Sequence, residues 1–159
     1  MRLEVSRVVS APCGAVFEAY TDFESMPRWS KRLSSVRVVA REGDTVRIET
    51  EGVSSKGEPR RREGSLRLTP PSRVESESET RFTKTRRVVT FEAAPGGSAT
   101  KVTAALEVRV KGLWALALRP GVNKDAAEAS ARDELDSFAT FVEGSSQPGK
   151  AGNVPSSPP

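Results

Sequence analysis

Four side chains in this sequence carry chemistry suited to moving a proton or gripping a polarised oxygen: Tyr20, Asp22, Arg62 and Arg87. The chain contains no His, so acid–base work falls to carboxylates, Tyr, Lys or Cys13. Without imidazole there is no Ser-His-Asp triad, no Cys-His pair, no His-ligated metal and no imidazole proton shuttle. Cys13 is the single Cys, which excludes an intramolecular disulfide and a cysteine-rich zinc site. Lacking a general base, Cys13 reads as a buried or half-buried helix residue and not as a nucleophile. Asp22 stands where one short helix gives way to another and is better explained as a cap. Gly96-Gly97 reads as a hairpin turn and not as a phosphate cradle. The expectation is no catalytic residue, no metal site and no cofactor.

Charge narrows the partners. The 159 residues hold 25 Lys+Arg against 21 Asp+Glu, a formal net charge of +4. That length fits one domain. The run Arg60-Arg61-Arg62 and a pI of about 9.6 raise nucleic-acid binding. Glu58, Glu63, Glu75, Glu77 and Glu79 interrupt the cations, however, so no single-sign stripe forms and no nucleic-acid partner is expected. The longest uncharged apolar run is the six residues Leu113 to Leu118. A spanning helix needs about 20. The N-terminus alternates like a strand and has no apolar signal region. The expected location is cytoplasmic or peripheral to a membrane.

These side chains must be positioned by strands. Leu3, Val5 and Val9 share one face of a first strand, with Arg7 interrupting it. Ser10-Ala-Pro12 reads as a helix start with Ser10 as cap, followed by a stripe of Ala15, Val16, Ala19 and Tyr20. A second short helix from Thr21-Asp22 is disrupted by Pro27. Six alternating segments follow, around Val36–Ala40, Val46–Thr50, Arg60–Leu68, Val74–Phe82, Arg87–Ala93 and Val102–Val110. Short links between neighbours imply an antiparallel meander. Ala127, Ala131, Leu135, Phe138 and Val142 lie on one stripe of a helix from about Val122 to Val142. Residues 144–159 are rich in Gly, Ser and Pro and read as a disordered tail, leaving 1–143 as the folded domain.

The element order predicts an α+β domain in which a seven-stranded curved antiparallel sheet wraps the C-terminal helix. The inward parity carries apolar residues such as Ile48 and Phe91. Toward the strand ends it carries Thr50, Arg60, Arg62, Ser76, Ser78, Thr80 and Arg87. The first half of the helix offers only alanines, Ala127 and Ala131 among them. Small residues facing small residues either enclose a cavity, with hydroxyls and Arg at its inner end, or mark a β-bulge that turns those positions to water. Lys111 to Gly121, with Trp114 and Leu118, reads as a lid over the cavity mouth, a buried connector, or a surface that dips into a bilayer.

Several segments together resemble one known family. They are Val9-Ser-Ala-Pro12, Val16-Phe17, the run Thr21-Asp22-Phe23-Glu24-Ser25-Met26-Pro27-Arg28-Trp29, and Ser35-Val36-Arg37-Val38-Val39. The stretch Gly112 to Pro120 and the later Glu134-Leu135…Phe138 are also similar. The chain resembles the START-like (SRPBCC) superfamily, in its polyketide cyclase/dehydrase or coenzyme-Q-binding branch, over about residues 3 to 143. The resemblance implies the helix-grip fold around a hydrophobic cavity. Phe23, Met26 and Trp29 then lie beside the cavity mouth, as pocket rim or as a core plug.

The candidate ligand-binding set is Phe23, Met26, Trp29, Ile48, Arg62, Ser76, Ser78, Arg87, Phe91, Trp114, Leu118, Ala127 and Ala131. The expected function is non-catalytic binding, transport or chaperoning of a lipid-like molecule, with an isoprenoid quinone as one candidate. The alternative is a cyclase or dehydratase acting on a hydrophobic substrate in the same cavity. Weak contact with an anionic membrane surface would suit ligand pick-up by a basic body.

Overall fold

The computed structural model describes residues 1–54, 56–113 and 124–146. Strand β1 (Arg2–Val9) leads into helix α1 (Cys13–Thr21) and a 3-10 helix (Phe23–Arg28). Six strands follow: β2 (Leu33–Glu42), β3 (Thr45–Val53), β4 (Pro59–Thr69), β5 (Arg73–Glu79), β6 (Thr83–Ala93) and β7 (Thr100–Val110). Helix α2 (Lys124–Ser146) closes the fold. The seven strands form one antiparallel sheet in the order β1-β7-β6-β5-β4-β3-β2. The meander expected from the short links is present, and β1 returns beside β7. Alternation at period two sets each strand, because one face must meet the helices and the other meets water.

The inner face grades along the strands. Leu68, Val74, Val89, Ala104 and Val5 stand opposite one another across five strands and make an apolar row. The next row reads Val46, Leu66, Ser76, Arg87, Leu106 and Leu3. Beyond it, Ile48 faces Gly64, Ser78 faces Thr85, and Thr50 faces Arg62. Register is unbroken from β3 through β7, and the shifts fall in β2, between Leu33 and Ser35 and between Val38 and Ala40. Arg62, Ser76, Ser78 and Arg87 therefore keep their inward parity. Arg62 and Ser78 nonetheless reach solvent, because that end of the sheet is not covered tightly.

The core packs against the apolar end. Val16, Phe17 and Tyr20 of α1 are buried with Leu135, Phe138, Ala139 and Val142 of α2. Phe17, and not Ala15, completes the α1 stripe, since Ala15 is exposed. Five ring pairs tie the layers together: Phe17–Phe91, Tyr20–Phe91, Tyr20–Phe138, Trp29–Phe138 and Tyr20–Trp29, with centroids 5.0 to 5.8 Å apart. Such contacts each add about 0.5–1.5 kcal/mol beyond area burial. A second cluster joins Phe23, Val36, Val46 and Ile48. Arg7, at inward parity on β1, reaches Asp136 of α2 at 2.8 Å.

Local details differ from the sequence expectations. Pro12 occupies the N-cap of α1 with no side-chain cap, and the backbone N–H of Ser10 instead donates to Glu143 Oε1 at 3.0 Å. Asp22 separates the two short helices, but its carboxylate accepts from the Ser25 hydroxyl at 2.6 Å and caps no backbone N–H. Helix α2 runs on through Gly144 to Ser146, so the helix outlasts the expected boundary at Val142. Among the described residues no helix is long and apolar enough to cross a membrane.

Candidate functional site

Gly52 fixes one wall of the site. A Cβ there would collide with the backbone carbonyl of Arg32, and the N–H of Val53 donates to that same carbonyl at 2.9 Å. Only glycine lets the chain after the 3-10 helix settle against β3. The segment Met26–Leu33 is thereby held opposite α2.

Between them lies a cleft of about 390 Å³ lined by Met26, Trp29, Ser30, Lys31, Arg32, Leu33, Arg62, Arg87, Ser130, Asp133, Glu134 and Ser137. It continues outward into a groove bounded by Arg28, Trp29, Lys31, Asp133, Asp136, Ser137, Thr140 and Phe141. A hollow among Glu77, Lys84, Arg86, Glu107 and Arg109 sits within surface ion pairs, and another of about 470 Å³ is bounded by Leu3, Val88 and Leu106 of the sheet and by Lys124 and Glu128 of α2.

The cleft is amphipathic. Met26, Trp29 and Leu33 supply its apolar wall. Four cations, Lys31, Arg32, Arg62 and Arg87, face two carboxylates, Asp133 and Glu134. Arg87 Nη2 lies 3.4 Å from Glu134 Oε2, the one ion pair the cleft contains among the described residues. The Arg87 guanidinium is held even more firmly protonated than usual, first by the Tyr20 oxygen and then by Glu134. Burial pushes the Tyr20 phenol up, against the pull of Arg87, and Glu134 pushes it further. Near neutral pH this cluster is therefore a neutral phenol beside a permanent cation. Such a pair can orient and bind a polar group. Trp29 is 4 % exposed, and its buried Nε1–H finds no acceptor among the described residues.

The structure brings Met26, Trp29, Arg62 and Arg87 together at the cleft. Phe23 and Ile48 are buried in the second apolar cluster, and Phe91 in the main core. Ser76 is half-buried beside Arg87, and Ser78 is exposed. Ala131 packs against the main core and Ala127 is half-buried; neither lines the cleft. Arg60 is exposed and does not line it either. Trp114 and Leu118 lie outside the described residues. The cleft described here lies beside the alanine stripe of α2, at Ser130, Asp133, Glu134 and Ser137.

Sequence reasoning did not single out Lys31, Arg32, Leu33, Ser130, Asp133 and Ser137 as site residues. One signal was available. Ser130, Asp133, Glu134 and Ser137 recur at i, i+3, i+4 and i+7, a polar stripe adjoining the apolar one.

Comparison with known proteins agrees with this architecture. TTHA0849 from Thermus thermophilus is 23% identical, with a TM-score of 0.74 over 92% of this chain and 100% of that one. Zhui aromatase/cyclase from a Streptomyces species is 14% identical, with a TM-score of 0.75 over 94% of this chain and 97% of that one. A START superfamily protein from Mycobacterium smegmatis is 17% identical, with a TM-score of 0.63 over 91% of this chain and 95% of that one. At these identities the likeness shows a shared helix-grip fold. No curated protein sequence matches significantly. A family model described as polyketide cyclase / dehydrase and lipid transport matches residues 1–143, and the chain belongs to that family.

Proposed function

We propose that the protein binds and carries a hydrophobic small molecule, a lipid or an isoprenoid quinone, without transforming it. The observation that carries this reading is the 390 Å³ cleft with Met26, Trp29 and Leu33 on one wall and fixed cations at its polar end. That volume lies in the range of about 300–1,000 Å³ typical of small-molecule sites. Apolar contact at about 25 cal/mol per Å² lets an aliphatic chain bind without special chemistry.

Exposed Leu113 and Phe82, with Arg81 stacked on the Phe82 ring at 5.6 Å, support weak docking on an anionic bilayer during loading.

Native mass spectrometry of gently purified protein tests the carrier reading. The expected result is a co-purifying lipid-like mass that organic extraction removes. A clean apo mass from several hosts, together with no saturable uptake of added lipid or quinone, would sink it. The Tyr20–Arg87–Glu134 grouping beside the cleft favours a second reading, a cyclase or dehydratase acting on a polyketide. Turnover of a poly-β-keto thioester by the pure protein would establish that reading in place of the carrier.

A further inference from the structure

We infer that the ligand is an amphiphile with an oxyanion head, a carboxylate or a phosphate, which Arg62 and Arg87 receive. The inference rests on the carrier reading above and narrows it. It starts from register. On the other face of the sheet, arginines meet carboxylates across strands: Arg37 and Arg61 share Glu49, and Arg86 reaches Glu75, which Arg73 of the same strand also contacts. The inward arginines have no such neighbour. Arg62 stands opposite Thr50, and Arg87 stands between Ser76 and Leu106.

Compensation from α2 is incomplete. Glu134 reaches Arg87 through a single contact at 3.4 Å, the one side-chain hydrogen bond found among the described residues for a guanidinium with five N–H donors. Lys31, Arg32 and Arg62 form no ion pair among the described residues. The cleft lining therefore holds four cations and two carboxylates, an excess of two positive charges. Trp29 adds an independent sign. It lines the same cleft, and its buried Nε1–H lacks an acceptor among the described residues. A buried donor left unmade is costly, and an acceptor carried by a ligand removes that cost. Planar forked donors suit carboxylate and phosphate oxygens better than the single oxygen of an alcohol or a quinone carbonyl. The apolar wall of Met26, Trp29 and Leu33 then takes the adjoining tail.

A tail-matched series tests this on the full chain by isothermal titration calorimetry. The probes are dodecanoate, dodecyl phosphate, dodecanol, methyl dodecanoate and a short-chain isoprenoid quinone. Dodecanoate or dodecyl phosphate is expected to bind about tenfold or more tightly than the alcohol and the ester. Which of the two anions binds better separates a carboxylate from a phosphate ligand. Arg62→Gln, at an exposed position that folding tolerates, is expected to weaken the anions about tenfold and leave dodecanol unchanged. Glu134→Gln removes the competing carboxylate and is expected to tighten the anions, again without effect on the alcohol. Equal affinity for anion, alcohol, ester and quinone overturns the inference while leaving the carrier reading intact. So does an Arg62→Gln protein that loses all probes alike. Failure of every probe to bind overturns both.

Discussion

Tyr20 of α1 and Phe138 of α2 meet edge to face, their centroids 5.4 Å apart and their planes at 88°. This contact helps to seal the tyrosine ring from water. It also makes the chain's alkaline behaviour predictable.

Tyr20 is the single tyrosine, so phenolate absorbance reports it alone. Burial lifts its pKa above the ordinary 10.0. A group with a raised folded-state pKa contributes stability that is complete below pH 10.0 and is lost as pH rises through the folded value. Spectrophotometric titration should therefore show the phenol ionising later in the native protein than in urea, with unfolding favoured above pH 10.0. Tyr20→Phe should lack this alkaline loss of stability. Identical titration in the native and unfolded states would contradict the burial described.

Trp29 separates packing from hydrogen bonding. Its ring contacts Tyr20 and Phe138, yet its N–H is unpartnered among the described residues. Trp29→Phe removes the unpartnered N–H and part of the ring, and should cost about 1–2 kcal/mol, less than full truncation. Trp29→Ala should cost about 3–5 kcal/mol by urea denaturation. A Phe variant as unstable as the Ala variant would mean that the N–H is satisfied after all.

Gly52 should tolerate no side chain. Gly52→Ala places a methyl against the Arg32 carbonyl, a backbone group that cannot rotate away. The expected cost is about 1–3 kcal/mol, read as a lowered Tm. Ligand affinity should fall with it, since the Lys31–Leu33 wall is seated by that approach. Gly64→Ala, where a Cβ meets nothing within 4 Å, is the control and should leave Tm and affinity close to the parent values.

Leu113 is 84 % exposed, close in sequence to Lys111, whose N–H donates to the Phe82 carbonyl of the neighbouring hairpin. Leu113→Glu should reduce co-sedimentation with phosphatidylserine-containing vesicles without changing Tm. Unchanged sedimentation would remove the support that this tip lends to membrane docking.

The strands were legible because alternation is a strong signal wherever one face is dry, and Val46–Thr50 or Val102–Val110 show it plainly. The terminal helix was legible for the same reason at its own period. The place of the cleft was harder to read. Spacing marks Ala127 and Ala131 as lying on the apolar stripe, but it does not say how closely that stripe approaches the sheet. In the folded chain Ala131 sits against the core. The gap opens one step around the helix, at Ser130, Asp133, Glu134 and Ser137. The role of Lys31 and Arg32 depends on the Gly52 approach, a contact between segments about 20 residues apart in sequence that no local pattern announces. The register shifts fell in β2, between Leu33 and Ser35 and between Val38 and Ala40, although Val36–Ala40 alternates in sequence.

The pairing of β1 with β7, from Arg2 opposite Glu107 to Val9 opposite Thr100, also has a temporal meaning. Among these seven strands β1 is synthesised before the rest, and its hydrogen-bonding partner β7 after them. Until then Leu3, Val5 and Val9 have no sheet to join, so the greasy leading edge must wait for nearly the whole body. Joining ends so far apart demands a large loss of chain freedom before any contact repays it, which makes this closure the natural bottleneck of folding.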